Sequence, residues 1–407
     1  MNKLKILFTT DLTEKLCFSL VMIFLFRVLS HVPVPFTDVE GIAALGNIDI
    51  LYLMNLFSGG SLANFTLMAT GISAYISASI VIQMLSYFIP AVHMLVRSPG
   101  GEKKVKTATM VIGIISAIAS SLVTTISLNK AYSILTNDEW YVYAIIAICH
   151  AVGTAVAVWI GESITEKGIG NGMSLLICIN VLSSIPTIIN TIKTSEANVW
   201  AITTMLLFVV IVILLTIIAE TSERRIPLFY PKAIARGKYQ KNAMFFPIKL
   251  NLSGVMPIIL ASYIMQFLSM LGNMKNKVGL FLRDLVEMDS ISYMIIFTIL
   301  IFVLTFVYSY ISFDAREISD NMKKNGAIIP NVKPGKETSE YIEDARKHIL
   351  KISSLYLSFI YFVPTLVLTL LNVNYIAATS IIILVGVSIE TCKTLKVELE
   401  LRDYKTL

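Results

Sequence analysis

The run NLFSGGSLANFTLMATGISAYISASIVIQMLSYFIP, residues 55–90, changes character at Thr70 and Gly71. Before the change, Asn55, Ser58, Gly59, Gly60, Ser61, Asn64 and Thr66 leave too little apolar surface to face lipid, and the piece is short. After it, residues 70–89 are long enough to cross a hydrocarbon core of ~30 Å. The pattern predicts a broken membrane helix, in which a short, polar, helix-like piece meets a longer apolar one. Backbone that leaves the helix at membrane depth is tolerated only where protein covers it or water reaches it, because each unpaired group in lipid costs several kcal/mol. The break therefore predicts a cavity.

The rest of the chain asks for the same solvent. Of 407 residues, 56% are hydrophobic and only 15% charged, and the mean hydropathy is +0.75. These values exclude an ordinary soluble domain and predict a polytopic membrane protein. Apolar runs of spanning length fall near 14–32, 70–89, 105–127, 141–161, 171–192, 199–219, 254–273, 291–313, 349–371 and 376–396, which gives ten spans. The first holds Arg27 and leads into HVPVP without a small-residue cleavage pattern, so it reads as a retained span rather than a signal peptide.

Charge orders the loops between the spans. One alternate set carries Lys3 and Lys5, then Arg97, Lys103, Lys104 and Lys106, then the basic residues of 224–249 and of 316–351. The other set carries only Lys130, Lys193, Lys275, Lys277 and Arg283. By the positive-inside rule both termini are cytosolic, and the formal charge of +6 follows from topology without invoking nucleic acid. The two large loops, 220–252 and 314–351, are expected to project into the cytosol, with turn signals at Pro227, Pro231, Gly237, Pro330 and Pro334. Ten spans divide as five plus five at about Asn198, so the expected units are 1–198 and 199–407, two halves related by an inverted repeat.

Little in the chain suggests catalytic chemistry. Cys17, Cys149, Cys178 and Cys392 sit in apolar runs without C-x-x-C spacing, and His31, His93, His150 and His348 are scattered without metal-ligand spacing. The G-x-G-x-G within GESITEKGIGNGMS (161–174) follows no strand and lacks the lysine of a phosphate loop, so a tight turn and helix start explain it better. Glu162 and Glu166 lie four apart at a span end, where a solvated helix terminus accounts for them. Ser73, Ser77, Ser79, Gln83 and Ser86 in the second span would let helices approach closely or line a wet path. Arg27, inside the first span, should face the bundle interior or reach for the interface, since an unpaired charge there costs about 2.5–3.5 kcal/mol.

These stretches together resemble the SecY family, central subunits of the bacterial protein-conducting channel, over nearly the whole chain. The resemblance is carried by FRVLSHVPVP (26–35), NLFSGGSLANF (55–65), YISASIVIQML (75–85), GESITEKGIGNGMSLL (161–176), SERRIP (222–227), PIKLNLSGVMP (247–257), NGAIIPNVKPGKETSEYI (325–342) and TSIIILVGVSIET (379–391). It implies an all-α polytopic membrane fold, ten transmembrane helices in two inverted five-helix halves around a central pore. It also implies a plug at 55–69, made by Phe57, Ser58, Gly59, Gly60, Ser61, Leu62, Asn64 and Phe65. A lateral gate is implied between spans 70–89 and 105–127 on one side and 254–273 and 291–313 on the other, with Gln83 on its face.

Carried over position by position, the family's constriction ring falls on Ile72, Ile76, Ile259 and Ile383, with Ile177 and Val181 from the fifth span. The spacing agrees, because 72 and 76, like 177 and 181, are four apart and share a helix face. An aliphatic ring excludes water and ions by dewetting and still yields to a passing chain. In the loops, Arg224, Arg225 and Lys333 match positions that engage the SecA ATPase or a ribosome, and basic loops suit both. The implied partners further include a SecE-like subunit clamping the halves, a SecG-like subunit, unfolded preprotein and membrane lipid, with no cofactor and no sequence recognition of nucleic acid.

Some positions depart from the family pattern. Lys333 stands where arginine is usual and lacks its planar fork. Ser73 and Ala74 replace a common Met-Pro, GGEKK (100–104) lacks the arginine after its glycines, and the tail after Glu400 is very short. Both a housekeeping channel and an accessory paralogue exporting a narrow set of surface glycoproteins stay open. A secondary transporter, the reading of a different class, would need carboxylates at midplane. Glu390, near the cytosolic end of the last span, is the nearest candidate.

Overall fold

The computed structural model describes residues 10–38, 58–62, 64–89, 92, 94–95, 98, 100–194, 199–230, 244–272, 290–370 and 378–405. Phe57, Arg97, Pro231, Gly237 and the expected outer-loop cations Lys275, Lys277 and Arg283 lie outside these. Among the described residues are ten largely apolar helices. They are α1 (Thr10–Leu29), α2 (Ser73–Phe88), α3 (Gly101–Tyr132), α4 (Trp140–Lys167), α5 (Gly172–Thr194), α6 (Val199–Thr221), α7 (Met256–Gly272), α8 (Ile291–Ser312), α10 (Lys336–Leu370) and α11 (Ala378–Lys405). The short α9 (Ala315–Lys324) and a hairpin of β1 (Glu223–Leu228) and β2 (Met244–Lys249) complete the set.

A helix that is apolar all round belongs in lipid or in a core. In α6, Leu206, Leu207, Leu214 and Ile218 are each more than half exposed, the surface a lipid-facing helix presents. Helices α3, α4, α10 and α11 outrun the predicted spans, because their charged ends are good helix formers that continue in water.

The segment before Thr70 corrects the expectation of a helix-like piece. Among its described residues only Ser58 is helical, and 59–62 and 64–72 form turns, bends and one bridge. The backbone φ is 65° at Gly59, 87° at Gly60, 45° at Phe65 and 45° at Gly71, the left-handed region that a right-handed helix excludes. The break is therefore a folded chain of turns, and α2 starts cleanly at Ser73 once Gly71 has reversed the path.

Two seams join the helices before residue 198 to those after it. On one side α5 packs against α11; on the other α2 packs against α7 and α8. Between the seams lies the main apolar cluster, which includes Phe26, Ile80, Leu176, Ile258, Phe297 and Val387.

The loops at 220–252 and 314–351, expected to project, pack into one module. β1 and β2 pair antiparallel from Glu223↔Lys249 to Leu228↔Met244. Phe229 and Ile328 then exchange backbone hydrogen bonds of 2.8 Å each, tying the hairpin to the turn after α9. Asp314 caps α9, accepting from the backbone N–H of Arg316 and Glu317 at 2.9 and 3.3 Å. Ile226, Ile248, Met322, Ile329, Ile342 and Ile349 fill the module's own core.

Candidate functional site

The turn segment is anchored at both ends. Near its C-terminal end, Val34 N–H donates to the Phe65 carbonyl at 3.2 Å and Leu67 N–H to the Val32 carbonyl at 2.9 Å, so it pairs with the chain leaving α1. Leu62 and Phe65 are buried with Val34, Leu128, Ile134 and Ile146 in a small cluster whose members all fall between residues 34 and 149. The Phe65 ring meets His150 of α4 edge to face at 5.4 Å, and His150 Nδ1 pairs with Ser121 Oγ of α3 at 2.7 Å.

At the other end the Gly59 carbonyl accepts from Arg27 Nη1 of α1 at 3.2 Å and lies 3.1 Å from Ser183 Oγ of α5, whose single hydroxyl proton it shares with the nearer Asn180 carbonyl at 2.7 Å. Glycine is required there twice over. Its φ is positive, and a Cβ would sit 2.7 Å from Asn180 Oδ1 and 2.8 Å from Ser183 Oγ. Ser58, Gly59, Ser61, Leu62 and Phe65 are buried, Gly60 is half-buried and Asn64 exposed. Below them, between Ser58, Thr70, Ser121, His150 and Tyr263 of α7, a cavity has about 30 Å³ in which the centre of a water molecule fits. That is room for at least one water, with polar groups to hold it.

Beside this segment, Ile72, Ile76, Ile177, Val181, Ile259 and Ile383 are each at most 5% exposed. All but Val181 belong to the one apolar cluster that draws on both parts of the chain, and Val181 lies one turn from Ile177 on α5. Ile72 caps α2, Ile76 lies in its first turn, and Ile259 and Ile383 lie in the early turns of α7 and α11. The helices bearing these positions are seam helices. These aliphatic side chains offer no hydrogen bond and no charge.

Across the seam between α2 and α8, Tyr308 Oη donates to Gln83 Oε1 at 3.3 Å. The serines around Gln83 do little to wet the span. Ser77 donates to the Ser73 carbonyl at 2.9 Å and Ser86 to the Gln83 carbonyl at 2.7 Å, while Gln83 Nε2 donates to Ser79 Oγ at 3.3 Å. The GIGNG stretch is a helix–turn–helix joint. Asn171 accepts from Met173 N–H at 3.1 Å, and Ser19 Oγ accepts from Ile169 N–H at 3.1 Å. Glu162 and Glu166 both face Lys106, at 3.3 and 3.7 Å.

On the hairpin module, Arg224 and Arg225 are exposed along β1, and Arg225 pairs with Glu223 at 2.8 Å. Lys333 has an 84% exposed side chain 3.5 Å from Glu337. Surface pairs of this kind contribute about 0–1 kcal/mol, so they leave the cations available to a partner.

Three contacts had no signal in the sequence. One is the Gly59 carbonyl as the acceptor for Arg27. Another is Arg346 of α10, 3% exposed, which donates to the Phe313 carbonyl at 2.9 Å, pairs with Glu343, and lies 3.9 Å over the Tyr310 ring. The third joins α6, α7 and α11. Asn251 Nδ2 donates to Glu220 Oε1 at 2.6 Å and to the Gly254 carbonyl at 3.1 Å, while Lys393 Nζ donates to the Glu220 carbonyl at 2.5 Å. Each links residues far apart in sequence through a carbonyl or amide, which no residue pattern advertises.

Comparisons with known proteins bear on this arrangement. The family model described as SecY matches residues 66–392. The protein translocase subunit SecY of Streptomyces coelicolor is 33% identical over 423 aligned residues, covering 98% of this chain and 97% of that protein. Among solved structures, one concerns a SecY whose plug domain stabilises the closed state of the translocation channel and maintains a membrane seal. It superposes with a TM-score of 0.68 at 17% identity, over 96% of this chain and 93% of that one. Sec61 in the canine ribosome–channel complex gives 0.66 at 15% identity, over 96% and 94%. At these identities the structural likeness shows the fold.

Proposed function

The chain belongs to the SecY family, and from that premise we propose that it is the central subunit of a channel passing unfolded preproteins across the bacterial cytoplasmic membrane and releasing hydrophobic segments sideways into lipid. The observation that carries this reading is what we treat as a girdle: six aliphatic positions, each at most 5% exposed, on or capping seam helices from both parts of the chain, five of them in one apolar cluster. In the proposal, 1–198 and 199–407 are the two halves, and Ile72, Ile76, Ile177, Val181, Ile259 and Ile383 form the ring. Residues 55–69 are the plug, and Gln83 with Tyr308 lies on the gate. Opening means parting a dry contact, which needs no bond-breaking chemistry and reseals when the chain has left.

Energy comes from a partner at the hairpin module, whose exposed Arg224, Arg225 and Lys333 suit an acidic or RNA-bearing surface electrostatically. The family implies the SecA ATPase or a ribosome for this role, and SecE-like and SecG-like subunits in the membrane. Both termini are proposed to be cytosolic. The test is a stalled preprotein carrying a photocrosslinker, moved through vesicles holding the chain with Ile76→Cys. Crosslinking to position 76 only while the substrate is in transit is the expected result. Transport without contact at any ring position would overturn the pore assignment.

A further inference from the structure

A guanidinium inside a span is kept where it has work or a partner. Arg27 lies in the last turn of α1, where the helix dipole favours a cation. Among the described residues it takes part in none of the ion pairs. Its acceptor is a backbone carbonyl of the turn segment.

We propose that Arg27 of α1 and Ser183 of α5 form a clasp on the Gly59 carbonyl that holds residues 58–65 in the closed position, so that Arg27 is a positioning residue of the resting channel. The proposal rests on the reading of 55–69 as the plug. One carbonyl meets the Arg27 guanidinium from α1 and, more weakly, the Ser183 hydroxyl from α5, which divides its proton between Gly59 and Asn180. The segment is gripped at a point, with Arg27 as the main donor. The grip depends on glycine, since the positive φ turns the carbonyl toward the donors and the missing Cβ admits Asn180 and Ser183. Departure of the segment strips the half-buried guanidinium of this acceptor. The seated state is thereby favoured over the released one by more than a neutral hydrogen bond gives.

The clasp and the Phe65–His150 contact hold opposite ends of the segment. The clasp end is polar and directional, so a small displacement breaks it. The Phe65 end adds to its ring contact two backbone hydrogen bonds, Val34 N–H to the Phe65 carbonyl and Leu67 N–H to the Val32 carbonyl, whereas the Gly59 end is held by side chains alone. Release is thus expected to begin at Gly59.

The test uses the full chain reconstituted with its membrane partners, reading resting ion conductance and the rate at which a water-soluble maleimide labels Ser61→Cys. Native Cys178, buried on α5, reports general loosening. Arg27→Gln is expected to raise both readouts about tenfold, the effect of losing one charge-assisted hydrogen bond, with Cys178 labelling unchanged. Arg27→Lys restores most of the closure. Ser183→Ala, a mild change that spares the fold, gives a smaller rise in the same direction. Deletion of residues 58–65 separates the two ideas. If the deletion leaks while Arg27→Gln and Ser183→Ala behave like the parent, the clasp is wrong and the plug stands. A tight deletion variant overturns the plug and the clasp with it. Equal gains in Ser61→Cys and Cys178 labelling would reduce Arg27 to a general support of the fold.

Discussion

Residues 58–67 and the proposed aliphatic girdle are held in opposite ways. Residues 58–67 rely on hydrogen bonds to α1, α5 and the chain leaving α1, on the Phe65–His150 ring contact and on a small cluster confined to residues 34–149. Met68 and Ile72 already belong to the larger cluster. The girdle has no directional bond, and its cluster reaches from Phe26 to Val387 across both seams. In the proposed reading, parting the seams opens the girdle without breaking a clasp contact, and unseating residues 58–65 leaves Met68 and Ile72 in the girdle's cluster. Two such closures, built on different physics, are expected to fail separately.

The strongest way to break this comparison is to remove the dry contact. Serine at 72, 76, 259 and 383 together forfeits about 1.5–3 kcal/mol per buried isoleucine. Resting conductance is expected to rise more than about a hundredfold even though the clasp is intact. A tight channel in a bilayer recording would show that the segment alone seals. The next effect is Gly59→Ala, where the left-handed backbone costs about 1–2 kcal/mol and the methyl group meets Asn180 and Ser183. Labelling of Ser61→Cys should increase roughly tenfold, with conductance rising less than in the serine variant. Matching conductance in the two variants would mean that the closures are one. The smallest effect belongs to Tyr308→Phe, which deletes a hydrogen bond contributing about 0.5–1.5 kcal/mol at the α2–α8 seam. Crosslinking of a hydrophobic segment to lipid should rise a few-fold, while Ser61→Cys labelling stays at the parent rate. A change in that labelling would couple the seam to the segment.

The spans were legible because lipid demands apolar length, and length can be read residue by residue. Ile72 and Ile76 share a face by spacing alone; where that face points came only with the family resemblance. The polar stretch before Thr70 announced a break but hid its conformation. Phe65 takes a positive φ that its residue type disfavours, and the pairing of 65–67 with 32–34 is what holds it there. The two basic loops read as separate projections because their charges dominate. Ile226 and Ile329, which join them, are single apolar residues among many polar ones. Arg27 stood out at once, but its partner is a carbonyl, and every residue has one.

The buried Arg346 has a mechanical consequence. It grips α8 at Tyr310 and Phe313, and Tyr308 on the same helix holds Gln83 of α2. From 308 to 312 the helix rises about 6 Å, with Phe313 as its C-cap, so the module and the seam hold one short rod at neighbouring points. In the proposed reading, a torque applied to the module by a partner at Arg224 or Lys333 has a short path to Gln83 along this helix.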